Sequence, residues 1–255
     1  MSQLVVGVPG PWESRTALME ALIGAKGGAY LFAGQIFMEV ETKRSCEIGL
    51  YEHDDQLRRA FEFAGGGALP GPLLNAIGAH RITVYLIFNE PGYESARDAV
   101  RFVNALLEAG GIAVKVESAG AAHTAERWRE LGASEDAFDT YTLFVQLVGG
   151  DDRFFSCGMH NFALPDAAVP STLGPQDGAN LLNAFNFYRL MEQPELKDGE
   201  TFSVDADAPR FRLKSEPYEA GYEPDEPLYN PHGLWSLLPA DNPPAKKRWR
   251  WSFRG

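Results

Sequence analysis

Cysteine is scarce in this chain: Cys46 and Cys157 are the only two among 255 residues. Two thiols make no disulfide framework, and both sit in apolar, strand-like runs. They read as small buried residues in a reducing cytoplasm. Long apolar runs are missing too; none approaches the roughly 20 residues that a membrane-spanning helix needs. Nothing at the start resembles a secretory leader. Met1-Ser-Gln carries no positive charge, and Leu4 to Val8 is too short for a leader's apolar region. These absences predict a cytoplasmic protein with no transmembrane segment. Basic charge is also in short supply: 23 Lys and Arg stand against 35 Asp and Glu, a net charge of −12. So acidic a body repels phosphate backbones, which argues against nucleic-acid binding by the main fold.

The usual signatures of chemistry are missing as well. No His-Glu-x-x-His and no paired Cys-x-x-Cys occurs, so no metal site is expected. Gly65-Gly-Gly67 and Gly149-Gly150 lack the Lys-Ser ending of a phosphate-binding loop. Neither stands in a Gly-x-Gly-x-x-Gly strand-to-helix setting, so both read as a linker and a hairpin turn. Gly-x-Ser-x-Gly, the nucleophile elbow of many hydrolases, is not found. No catalytic residue and no cofactor are therefore assigned.

What is present is a globular composition, 45% hydrophobic and 23% charged, with 16 Phe. Alternation and helical spacing predict strands over 4–8, 30–40, 46–51, 81–89 and 112–117, and helices over 12–25, 56–64, 70–77, 96–108 and 121–132. Further on come an apolar hairpin over 138–148 and 154–157, a helix over 175–191, and short strands over 201–204 and 211–214. Residues beyond Glu216 are rich in Pro, Tyr and acid and read as an irregular wrap. The order strand, helix, strand, strand, helix, strand is the ferredoxin-like split βαβ pattern. A similar order recurs after Arg81. The expected fold class is α+β, with two related α/β sandwich units whose sheets abut or are shared. The corresponding division is 1–90, 91–216 and a C-terminal wrap over 217–255.

The stretch Arg153 to Asp166 draws attention first. It begins as an apolar strand, breaks at Gly158, presents Met159, His160 and Asn161, and closes through Pro165 and Asp166 toward a helix. His160, Asn161 and Asp166, with His232 and Arg153 as possible additions, form the candidate pocket. A histidine just past a strand end has the chemistry of a general base. Ser156 and Cys157 lie near it, but Cys157 and His160 do not have the spacing of a known nucleophile–base pair. The competing reading is a histidine bonded to local backbone in an ordinary turn. His123, placed on the 121–132 helix four residues before Arg127, reads as a solvated or packed face rather than an anion site. Asp198-Gly-Glu-Thr-Phe202 reads as a tight turn into a strand. Asn230-Pro-His-Gly-Leu-Trp235 reads as an apolar plug that pins the wrap to the core. The end of the chain, Lys246 to Arg254, interleaves basic residues with Trp249, Trp251 and Phe253. It has the make-up of a peptide that lies on an anionic membrane or stacks on a nucleic acid, or of a tail that docks on its own acidic body or is partly disordered.

Gly158-Met-His-Asn-Phe-Ala-Leu-Pro-Asp166, the helix after it, Lys197-Asp-Gly-Glu-Thr-Phe202 and Asn230-Pro-His-Gly-Leu-Trp235 together resemble a bacterial family of unknown function. Ala163 stands where that pattern prefers Gly. The resemblance is carried by roughly the last hundred residues and brings no catalytic residues with it. It implies a link to toxin–immunity systems, and so a non-enzymatic protein that binds a protein partner. An acidic body suits an inhibitor of a basic toxin. Two alternatives stand beside this reading: an enzyme acting on a small molecule near His160, and a structural homodimer formed through an open sheet edge.

Overall fold

The computed structural model of the protein describes residues 3–218 and 222–240. Strand β1, Leu4–Gly10, is buried at every position but one and runs through the middle of the first sheet. Helix α1, Arg15–Lys26, follows it. The Ser14 hydroxyl accepts from the Ala17 N–H at its start, and Gly27, with φ of 60°, ends it. The expected single strand over 30–40 is instead a hairpin, β2 (Tyr30–Ala33) and β3 (Ile36–Glu39). Gly34 supplies the left-handed turn between them, with φ of 63°. Next come β4 (Ser45–Glu52), α2 (Leu57–Ala64), α3 (Gly71–Gly78), β5 (Ile82–Phe88), α4 (Tyr93–Glu108) and β6 (Ala113–Val116).

The expected helix over 121–132 divides. Its first four residues form strand β7, Ala121–Thr124, and only Ala125–Ala133 is helical, as α5. Thr124 makes the change, since its hydroxyl accepts from the Arg127 N–H. His123 therefore stands on a strand. Its ring is buried and bonds the Leu143 carbonyl at 2.9 Å, rather than sharing a helical face with Arg127.

The first sheet has the order β2-β3-β4-β5-β1-β6-β7. Strand β5 is antiparallel to both β1 and β4, so β1 and β4 are parallel with β5 inserted between them. The central order β4-β5-β1-β6, with crossovers through α1 and α4, is the ferredoxin-like split βαβ arrangement. The β2–β3 hairpin extends one edge and β7 the other. Helices α1 and α4 pack on one face, where Leu4, Val6, Leu18, Phe102 and Leu106 are fully buried. On the other face, Leu57 and Phe61 of α2 and Ile77 of α3 cluster with Ala113 of β6. Residue 90 lies inside this unit, between β5 and α4.

The expected strand over 138–148 is helix α6, Ala137–Phe144, followed by β8, Gln146–Gly149. Asp136 starts the helix by accepting from the Phe138 N–H at 2.9 Å. A run this apolar suits either state, and the cap decides. The second sheet adds β9 (Arg153–Cys157), β10 (Asp166–Pro170), β11 (Thr201–Phe202), β12 (Phe211–Glu216) and β13 (Leu234–Pro239), in the order β11-β12-β13-β10-β9-β8. Two antiparallel meanders meet at the parallel pair β10–β13. Helix α7, Pro175–Glu192, covers one face with Leu181, Leu182 and Phe185. This order differs from that of the first sheet, so the two units are not topological copies. Among the described residues beyond Glu216, Leu234–Pro239 form β13, which inserts between β12 and β10 rather than continuing an irregular wrap. Asp166 likewise leads into strand β10 before any helix.

The turn after β9 is one of the links between the two sheets, beside the contacts of α6 with α7. Met159 and Phe162, in the 3-10 turn Met159–Phe162, pack into the first sheet's core beside Trp128 and Phe144. The residues on either side of that turn belong to β9 and β10 of the second sheet.

Candidate functional site

Strand β9 ends at Cys157, and Gly158 turns the chain with φ of 116°. A Cβ at this position would lie 2.3 Å from the Phe144 carbonyl oxygen and 2.8 Å from the Ala119 methyl, so only glycine fits. The turn ends at Ala163, itself left-handed with φ of 58°, which explains why glycine suits that position. The chain then doubles back, and Asp166 at the start of β10 comes to lie beside Ser156 and the Met159 backbone.

Asp166 is completely buried. Its Oδ1 accepts from the Ser156 hydroxyl and the Met159 N–H, each at 3.1 Å, and its Oδ2 accepts from Asn230 Nδ2 at 2.7 Å. Ser156 Oγ accepts in turn from the Ala167 N–H at 2.9 Å. Asn230 Nδ2 also donates to the Leu164 carbonyl, and its Oδ1 accepts from the His232 N–H. One carboxylate thus ties together β9, the turn, β10 and the segment that enters β13. Burial pushes its pKa up to about 6, while the three hydrogen bonds and the more distant Arg189 charge oppose the shift.

His160 is not among the partners of this carboxylate. Its ring is 1% exposed, and Nε2 lies 3.1 Å from the Pro227 carbonyl oxygen. A carbonyl only accepts, so Nε2 carries the proton, and Nδ1 has no partner. Burial lowers the pKa to about 4, which keeps the ring neutral. Asn161 is equally buried and donates from Nδ2 to the Phe144 carbonyl at 3.0 Å. His232 is exposed and joins the cluster only through its backbone N–H. The Cys157 thiol is pushed up to about 12 by burial, so it is no thiolate nucleophile at neutral pH.

The four residues singled out in the sequence therefore fall in one region without sharing one hydrogen-bond network. His160 and Asn161 bond backbone, and Asp166 bonds a hydroxyl, a backbone N–H and an amide, all inside the fold. Cavities of about 500 Å³ are lined by none of these three residues, although Phe162 to Pro165 of the same turn line one of them. One lies at Phe138, Phe187 and Phe202, another at Tyr93, Arg189 and Trp235. A third, on the outer face of the second sheet, includes Arg153, whose Nη1 is 3.9 Å from Glu216. Lys214 and Ser236 also hold Glu216, at 2.7 and 2.8 Å. The Asp198-Gly199 turn is as expected: Asp198 Oδ1 accepts from the Ser215 N–H, and Gly199 has φ of 85°.

A second buried polar set went unnoticed in the sequence. Arg189 donates to the Pro165 carbonyl at 2.8 Å and to Asn186 Oδ1. Asn186 Nδ2 bonds the Tyr141 hydroxyl, which donates to Asn183 Oδ1 at 3.0 Å. The available signal was spacing: Arg189 falls four residues after Phe185 and seven after Leu182, on the buried stripe of α7.

Among the described residues no group of three or more His, Cys, Asp or Glu is placed to hold a metal ion. No helix there is long and apolar enough to cross a membrane. The Lys246–Arg254 segment lies outside the described residues. No curated protein and no solved structure matches the chain. Residues 155–225 match the family model described as Domain of unknown function (DUF4261), so over that span, which holds the end of β9, the turn, β10, α7, β11 and β12, the chain is similar to an uncharacterised domain family.

Proposed function

We propose that this is a binding protein with no chemistry of its own, acting on a protein partner in the manner of an immunity protein. The observation that carries this reading is the state of His160: buried, neutral and bonded to the Pro227 carbonyl. A general base has to reach a substrate proton, and this ring reaches only backbone. Asn161 Nδ2 likewise donates to backbone, and Asp166 is held by Ser156, Met159 and Asn230. The net charge of −12 favours a basic partner, because complementary fields speed encounter and reject wrong partners.

The test is purification of the tagged chain from its native host, at low and at high salt. The expected result is a stoichiometric basic protein that elutes with salt and re-forms the complex from pure components, with an association rate that falls as ionic strength rises. A chain recovered alone at both salt concentrations contradicts the proposal.

The homodimer reading rests on a separate observation. Strand β2 is an edge of the first sheet, and Leu31 on it and Ile36 on its neighbour are exposed. Light scattering decides it: twice the chain mass supports a dimer, and the single-chain mass removes it.

A further inference from the structure

We propose that the cavity between the start of α4 and the end of α7 binds a carboxylate that carries an aromatic or branched apolar group. This goes beyond the protein-partner reading and does not depend on it. The cavity holds about 510 Å³, within the range of small-ligand sites. Tyr93, Leu164, Leu196 and Trp235 supply apolar and aromatic walls. Two features of the same walls favour negative charge.

The first is Arg189. The residue is 3% exposed, and no Asp or Glu among the described residues comes within ion-pair distance of its guanidinium. Its hydrogen-bond partners are neutral, the Pro165 carbonyl and the Asn186 amide oxygen, and its Nε has none. The ring of Phe185 lies 4.5 Å from its CZ carbon. Asp166 acts on it only from a distance, since that carboxylate is held by Ser156, Met159 and Asn230. A buried cation without a contacting counter-ion is the unfavourable case, and an entering carboxylate relieves it.

The second is the N-terminal end of α4, a 16-residue helix whose first residue Tyr93, its cap Gly92 and the preceding Pro91 line the cavity. Gly92 has no side chain to cap the helix, and the nearby Ser95 hydroxyl is turned to the Glu90 carbonyl instead. No side chain caps the backbone N–H groups of the first turn, which stand at the positive end of the helix dipole beside the single acidic residue Glu94. A carboxylate placed between these groups and Arg189 leaves its apolar part against Trp235 and Leu196. Such a carboxylate comes either from a free small acid or from the C-terminus of another chain.

The experiment is calorimetric titration of the intact protein with 3-phenylpropionate and its neutral amide. In parallel it is titrated with a short peptide ending in Phe, with a free or an amidated C-terminus. The proposal expects each carboxylate to bind at least about tenfold more tightly than its amide, as charge-assisted bonds to a desolvated site require. Leu196→Trp, which fills the cavity and leaves Arg189 in place, abolishes binding while the variant keeps its unfolding midpoint. Arg189→Lys weakens the carboxylates more than the amides. Tighter binding of the free acid identifies a small-molecule site, and tighter binding of the peptide a chain-end site. Equal affinity for acid and amide, binding that survives Leu196→Trp, or no binding of either carboxylate at millimolar concentration overturns the proposal.

Discussion

Asp166 shows how one residue is both costly and necessary. Folding strips its carboxylate of water, and three donors replace that water without fully compensating, so its pKa rises from 3.8 to about 6. A carboxyl whose folded pKa is raised adds stability below its unfolded value and loses it as pH rises through the folded one. The window here runs from about pH 4 to about pH 6, and the loss is about 3 kcal/mol. The same side chain holds Ser156, Met159 and Asn230, and removing it leaves three buried donors unpaired. Asp166→Ala is therefore expected to destabilise most near pH 4, with a penalty smaller by about 3 kcal/mol above pH 6. Urea midpoints of both proteins across that range check it. Buried histidines titrate in the same window, but they are common to both proteins and cancel in the difference. A penalty independent of pH would show that Asp166 is not desolvated as described.

At the scale of elements, the turn between β9 and β10 depends on a glycine for two separate reasons. Gly158 has a positive φ, and the atoms that a Cβ would strike include a backbone carbonyl, which cannot move aside cheaply. Gly158→Ala is expected to cost at least about 3 kcal/mol, or to prevent folding. Gly199 also has a positive φ but faces open space, and Gly199→Asn is expected to cost less than about 1 kcal/mol. Thermal unfolding of the two variants checks the contrast; similar losses would contradict it. The same local chemistry decided what could be read from the sequence. Strong alternation made β5 legible, and helical spacing made most of α4 and α7 legible. Short elements hid inside longer apolar runs. Tyr30 to Val40 looks continuous until Gly34 is given a left-handed conformation, and Phe138 to Val148 looks like a strand until Asp136 is recognised as a cap. His123 was misplaced because Thr124, one residue later, is where the helix starts. The residues of the candidate site were legible as a cluster, but their partners were not. Asn230 and Pro227 lie more than sixty positions from Asp166 and His160, and no local pattern announces a contact of that range.

For the whole molecule, two sheets of different topology are joined by the contacts of α6 with α7 and by a turn whose apolar and polar residues face different ways. Met159 and Phe162 enter the core of the first sheet, while Asp166 and Asn230 join strands of the second. His160 closes the arrangement by bonding Pro227, in the segment between β12 and β13. This placement makes the histidine a reporter for the central claim, that the Gly158–Asp166 turn is a buried structural junction rather than a reactive site. A histidine whose folded pKa is lowered adds stability above its unfolded value near 6.5 and loses it as pH falls toward about 4. It stays neutral for as long as the segment carrying Pro227 covers it. The most direct measurement is an NMR titration of the His160 ring in the intact chain, assigned by comparison with His160→Gln. The account predicts a neutral ring with the proton on Nε2 through pH 5 and an apparent pKa of about 4. A ring that titrates near 6.5, as a solvent-exposed histidine does, would contradict it and return His160 to the list of candidate bases.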